Sequence, residues 1–174
     1  RGPNGVVVGG GGGASVLAAD DLDIRGLKVP ALLPETQEAL AKVTHEAGTS
    51  IRNPIDTMST WEEEGFEATI RPCAEAPNCD VVLYHSGFGM GPGARYRAMR
   101  ERIAFQANVL GRVQQETGTP IVVAVRESTT EDGFEYAQLF QELCWRQGLA
   151  TYPSIARAAN GLARLLEWQR LQQP

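Results

Sequence analysis

The chain has 174 residues, 43% of them hydrophobic and 21% charged, which excludes a disordered segment and is enough for one domain with a sizeable core. Its net charge of -5 excludes non-specific nucleic-acid binding, which needs a basic surface. No apolar run approaches a membrane span, no signal peptide opens the chain, and Cys73, Cys79 and Cys144 match neither a zinc nor a CxxC spacing. Free thiols in a reducing cytoplasm are therefore expected. The sequence has no initiating Met and enters its first strand almost at once, so residues 1–174 read as a single domain taken from a longer multidomain chain.

Strand and helix signals alternate from end to end. Val6-Val7-Val8 predicts a buried first strand. Five glycines, Gly9 to Gly13, lead into a helix from Ala14 to about Arg25, with Val16, Leu17, Leu22 and Ile24 as expected core contacts and Gly26 as its stop. Leu27-Lys28-Val29 predicts a short second strand, ended by Pro30. Pro34-Glu35-Thr36 opens a second helix that runs to about His45, and residues 48–60 form a loop. Thr60, followed by Glu62, Glu63 and Glu64, predicts the start of a third helix. Asp80 to Tyr84 is the third strand, followed by a glycine-rich loop from His85 to Gly93. A long helix spans about Ala94 to Glu116, with Met99, Ile103, Val109, Leu110 and Val113 on its apolar side. Pro120 to Val125 is the fourth strand, Asp132 to Gln147 a helix stopped by Gly148, and Leu149 to Tyr152 the fifth strand. Pro153-Ser154 starts the last helix, with Ile155, Leu162, Leu165 and Leu166 on one face.

Five strands, each followed by a helix, predict an α/β fold: a doubly wound, five-stranded parallel sheet of flavodoxin-like order 2-1-3-4-5. Ligands of such sheets sit at the C-terminal ends of the strands. A strand that passes through glycines into a helix aims unpaired backbone N–H groups at one point, and the helix dipole adds partial positive charge there. The stretch Gly10, Gly11, Gly12, Gly13, Ala14 and Ser15 is therefore a candidate phosphate site. The alternative is a tight turn that binds nothing. A dinucleotide site is disfavoured, because Lys28, Val29 and Pro30 stand where an acid would hold a ribose.

Four stretches carry a resemblance. Gly11-Gly12-Gly13-Ala14-Ser15-Val16-Leu17-Ala18-Ala19-Asp20 resembles T-N-A-G-G-P-G-V-L-A-A-D, and Glu35-Thr36-Gln37-Glu38-Ala39-Leu40 resembles E-T-Q-E-x-L. Arg52-Asn53-Pro54-Ile55-Asp56 resembles x-N-P-V-D, and Thr151 to Ala159 resembles F-P-S-P-E-R-A-A-R-A. In this order, over nearly the whole chain, they resemble the NDP-forming acyl-CoA synthetases, the ADP-forming acetyl-CoA synthetase branch of the succinyl-CoA synthetase superfamily. The matching part is that family's succinyl-CoA-ligase-like flavodoxin domain. The resemblance implies a parent ligase that interconverts acyl-CoA, phosphate and NDP with a carboxylic acid, CoA and NTP. It implies CoA, ATP or ADP, phosphate and magnesium for the parent, with none bound by this domain alone. The implied partners are CoA-binding, phosphohistidine and ATP-grasp domains of the same or a sister chain, in a homo- or hetero-oligomer without nucleic acid or membrane. Two helix N-termini of that family face a phosphohistidine supplied by a neighbouring domain, and the glycine turn here would supply one of them. The fragment by itself is expected to be inactive. The family's Asn falls at Gly10, its Pro at Ala14 and its last Gly at Ser15, changes that leave backbone donation in place.

Other candidates are weighed singly. Asn53 and Asp56 either wall the active face or bond local backbone in a Pro turn. His45 reads as a helix C-terminal dipole partner. His85, on the ligand face, reads as a wall or interface residue, since the family's phosphorylated histidine lies in the preceding domain. The loop from Ser86 to Gly93 is a candidate lid. Arg95, Arg97, Arg100 and Arg102 are expected to face solvent, acids or a partner, and Arg126, before Glu127 and Ser128, favours an anion or a surface ion pair. Trp61, Trp145 and Trp168 are spaced for packing. No nucleophile-base arrangement and no metal cluster is visible. The rival readings are a non-catalytic ligand-sensing or assembly module of the same fold and a free-standing nucleotide- or flavin-binding protein.

Overall fold

A computed structural model describes residues 2–44, 49–61, 63–88 and 96–172. The strands are β1 (Gly5–Gly9), β2 (Ile55–Asp56), β3 (Val81–Gly87), β4 (Ile121–Arg126) and β5 (Ala150–Tyr152). The helices are α1 (Gly12–Asp23), α2 (Pro34–Ala41), α3 (Glu63–Glu75), α4 (Tyr96–Thr117), α5 (Glu131–Arg146) and α6 (Ile155–Leu171), with a 3-10 turn at Met58–Trp61. All strand pairings are parallel and the order is β2-β1-β3-β4-β5, the flavodoxin-like order expected.

The strands are nearly pure hydrophobic runs because both faces of the sheet are covered. Successive residues of β1 point to opposite sides, so Val6 and Val8 enter one cluster and Val7 the other. Tyr84 and Val123 join the first cluster, beneath Leu40, Phe66, Ile103, Leu110 and Phe140 of α2 to α5. Leu83 and Ala124 join the second, beneath α1 and α6.

Several local expectations need correction. The second strand is not Leu27 to Val29, where Lys28 makes a single bridge to Asn4; it is Ile55–Asp56, inside the expected loop. α1 is rotated from its expected face: Val16, Leu17 and Ile24 are 57%, 62% and 79% exposed, while Ser15, Ala18 and Leu22 are buried. The spacing of the buried set is helical, but two of its members are too small to give a hydrophobic signal. β3 runs three residues past Tyr84, so His85, Ser86 and Gly87 are strand. Trp145 and Trp168 are exposed. His45, Arg95 and residues 89–93 of the candidate lid lie outside the described residues.

Thr130 and Ser154 cap α5 and α6, their hydroxyls accepting from the Gly133 and Arg157 amides at 3.2 Å. Asn53 fastens the loop before β2. Its Oδ1 accepts from the Val7 amide at 2.9 Å, and its Nδ2 donates to Gly5 O at 2.9 Å and Pro30 O at 2.8 Å.

Candidate functional site

Gly9 ends β1 and Gly12 begins α1, so two residues make the whole turn. Gly11 holds φ +106°, a left-handed conformation that only glycine enters freely. Its carbonyl accepts from the Ala14 and Ser15 amides at 2.9 and 3.1 Å, which closes the first turn of the helix. The amides of Gly12 and Gly13 have no protein partner among the described residues. Gly11 and Gly13 are exposed, and a Cβ placed on either would meet nothing within 4 Å. The turn thus presents two unpaired donors at the positive end of a helix, Gly13 open to solvent and Gly12 half-buried beside the Asp56 carboxylate.

Three strand ends surround it. Register aligns Gly9 with Asp56 on one side and with His85 on the other. Asp56 Oδ1 accepts from the Gly11 amide at 2.9 Å. A carboxylate there is favoured by the dipole and repels an incoming anion. His85 is 1% exposed, with Nε2 2.9 Å from Ser15 Oγ and Nδ1 without a partner. Its ring packs against Gly9, where a Cβ would overlap it. Burial, and then the positive charge of Arg126, push the imidazole down to a pKa of about 4, so it is neutral at pH 7. Ser15 is likewise 1% exposed, so this Ser–His pair is sealed from solvent and positions the helix rather than acting as nucleophile and base.

Arg126 ends β4. Its NH2 lies 3.5 Å from Gly10 O, and its buried Nε has no partner. It makes no ion pair with a carboxylate among the described residues. The guanidinium lies over Gly87, whose missing side chain leaves it room. A small cavity of about 10 Å³ is enclosed by Gly10, Tyr84, His85, Ser86, Gln106 and Arg126, among others. A larger one of about 390 Å³ opens beyond Arg126 toward β5.

Of the residues singled out in the sequence, Gly10 to Ser15, Asp56, His85 and Arg126 therefore meet at one edge of the sheet. Asn53 is taken up with β1 backbone. Arg100 faces Glu135 of α5 at 4.0 Å. Sequence reasoning missed Gln106, which is 4% exposed, donates to Thr60 O at 3.1 Å and leaves Oε1 without a partner. Its signal was available: a lone amide on the buried side of α4, between Ile103 and Leu110. No group of three or more His, Cys, Asp or Glu that could hold a metal is present among the described residues. No helix among them is long and apolar enough to cross a membrane.

No protein-family model matches the chain, and no curated protein does. Solved structures do match. PH0766 from Pyrococcus horikoshii OT3 aligns with a TM-score of 0.80 at 22% identity, over 100% of this chain and 37% of that one. The dinucleotide forming acetyl-coenzyme A synthetase 1 of Ca. Korarchaeum cryptofilum aligns with a TM-score of 0.68 at 21% identity, over 98% of this chain and 34% of that one. Its complex with phosphate and ADP aligns with the same values. The chain spans about a third of the length of each of these proteins. At such identities the likeness is one of fold alone.

Proposed function

We propose that this chain is the flavodoxin-like domain of an NDP-forming acyl-CoA synthetase, and that its glycine turn stabilises phosphate or phosphohistidine during interconversion of acyl-CoA, phosphate and NDP with a carboxylic acid, CoA and NTP. The observation that carries the proposal is the pair of unpartnered amides of Gly12 and Gly13 at the exposed N-terminus of α1. They stand in the crevice between β1 and β3, where the strand order reverses and where open α/β sheets take their ligands. Fixed donors aimed at a transferring phosphoryl group supply electrostatic stabilisation without reorganisation. The acetyl-CoA synthetase fold, and a neighbour whose structure holds phosphate and ADP, support the same reading.

Asp56 is the group that this role must accommodate. Magnesium binds through one or two carboxylates together with phosphate oxygens, so Asp56 fits as its protein ligand and the metal would offset its repulsion of phosphate. CoA, the nucleotide and the phosphorylated histidine belong, in this proposal, to CoA-binding, phosphohistidine and ATP-grasp domains outside these residues. The domain alone is inactive.

The test uses the longer protein that contains this chain. Incubation with labelled ATP and magnesium should give an acid-labile, base-stable phosphoenzyme that CoA plus a carboxylate discharges. Gly13→Val, whose side chain enters open space, should slow formation or discharge without unfolding the domain. Wild-type protein that forms no phosphoenzyme, or a variant that matches wild type, overturns the proposal; the first result returns attention to a sensing or assembly module.

A further inference from the structure

The small cavity beside Gly10 has a volume of about 10 Å³, close to the least that holds one water. Residues of three different elements bring a polar atom to its lining: His85 on β3, Gln106 on α4 and Arg126 at the end of β4. His85 Nδ1, Gln106 Oε1 and Arg126 Nε are each buried without a partner. His85 is 1% and Gln106 4% exposed, so bulk solvent does not reach these two side chains. Native cores seldom leave one such atom unpaired, and three around a single cavity imply a shared partner.

The chemistry of the three atoms selects that partner. Arg126 Nε–H only donates, and Gln106 Oε1 only accepts. Gln106 Nε2 is already bonded to Thr60 O at 3.1 Å, which fixes the oxygen as the end of the amide left over. The neutral His85 ring holds Nε2 against Ser15 Oγ at 2.9 Å, so Nδ1 donates in one tautomer and accepts in the other. The partner must accept from Arg126 and donate to Gln106. Water does both, whereas a halide cannot donate and a metal cation cannot accept. Arg102 also lines the cavity, and two guanidinium groups would draw an anion. Against an anion stand the Gln106 oxygen, which repels it, and a volume suited to nothing larger than water.

We infer that this cavity is the site of one internal water, which accepts from Arg126 Nε–H, donates to Gln106 Oε1 and makes its third bond with His85 Nδ1. Three bonds are the usual complement of a buried water. Through it Gln106 becomes a positioning residue. The water joins α4 to Arg126, whose NH2 lies 3.5 Å from Gly10 O, and to His85, whose Nε2 meets Ser15 Oγ. Gly10 and Ser15 flank the glycine turn, so the turn is braced from beneath on both sides. The inference stands apart from the proposed phosphate role, since the brace is the same whether or not the turn takes an anion.

Crystals of the chain, with a second set soaked in sodium bromide, test it. Density for one ordered water should lie within hydrogen-bond distance of Arg126 Nε, Gln106 Oε1 and His85 Nδ1. In solution, the Arg126 Nε–H should show NOEs to water of the sign that marks residence far longer than that of surface water. Gln106→Met, close in shape but without the oxygen, should lose the water and quicken exchange of the Arg126 Nε–H about tenfold, the scale of one lost hydrogen bond. An anomalous bromide signal in the cavity overturns the inference in favour of an anion site. A cavity without density, or a direct hydrogen bond between two of the three atoms, overturns it as well. These readings come from the wild type and hold whether or not the variant folds. A folded Gln106→Met chain that keeps both the water and the wild-type exchange rate removes Gln106 from the site and overturns the inference too.

Discussion

In the proposed phosphate role, Asp56 governs how an anion would reach the glycine turn. Its carboxylate occupies the Gly11 amide, so phosphate alone should bind weakly and magnesium should strengthen it. Asp56→Asn keeps an acceptor for that amide and removes the charge. Phosphate should then bind more tightly without magnesium and lose its magnesium dependence, as read by the Gly12 and Gly13 amide shifts; an unchanged dependence would remove Asp56 from the site. His85 makes a different prediction. It is held neutral, with its pKa lowered from 6.5 to about 4, so below pH 6.5 the unfolded chain takes up a proton that the folded chain refuses. Stability attributable to His85 is complete above pH 6.5 and falls as the pH drops toward 4, by at most roughly 3 kcal/mol. Urea unfolding across that range should show the loss, and His85→Gln should flatten it. A His85 resonance titrating near 6.5 in the folded chain would contradict the burial described.

The β1-to-α1 junction contains glycines under opposite constraints. Gly9 is pressed against the His85 ring, and Gly9→Ala should destabilise the chain by about 1–3 kcal/mol through overpacking. Gly13 sits in the first turn of α1 with nothing near it, and Gly13→Ala should stabilise by about 0.5–1 kcal/mol, because alanine loses less backbone entropy in a helix. Denaturant midpoints of the two variants should move in opposite directions. The five-glycine run announced a turn, but composition alone does not tell these positions apart. The same limit explains what was legible elsewhere. β1, β3 and β4 were visible as β-branched and apolar runs covered on both faces. β2 was not, because two residues carry no periodicity, and Asn53 places them by bonds to β1 backbone 46 and 48 residues away. Leu27 to Val29 had the better strand propensity, yet tertiary pairing overrode it. At the candidate site the glycine turn could be read, whereas the Asp56 to Gly11 bond, across 45 residues, could not.

Across the chain, all three cysteines are free and buried. Burial pushes the Cys144 thiol up to about 12, and burial with the neighbouring Cys79 pushes Cys73 higher still. Native protein should therefore react with a thiol reagent slowly, through unfolding, and release three thiols at once in denaturant. One thiol that reacts at the rate of free cysteine under native conditions would contradict the packing of the core. The order of the sheet has a last consequence. Its outermost strands are also its shortest, two residues for β2 and three for β5. The outer backbone groups of Asp56 are already paired with Ser50, at 2.9 and 3.0 Å. A long open flank would offer a ladder on which a second, misfolded chain could grow. Here the flank at β2 is closed by the chain's own loop and the flank at β5 ends after three residues, so the folded state gives a fibril little to begin from.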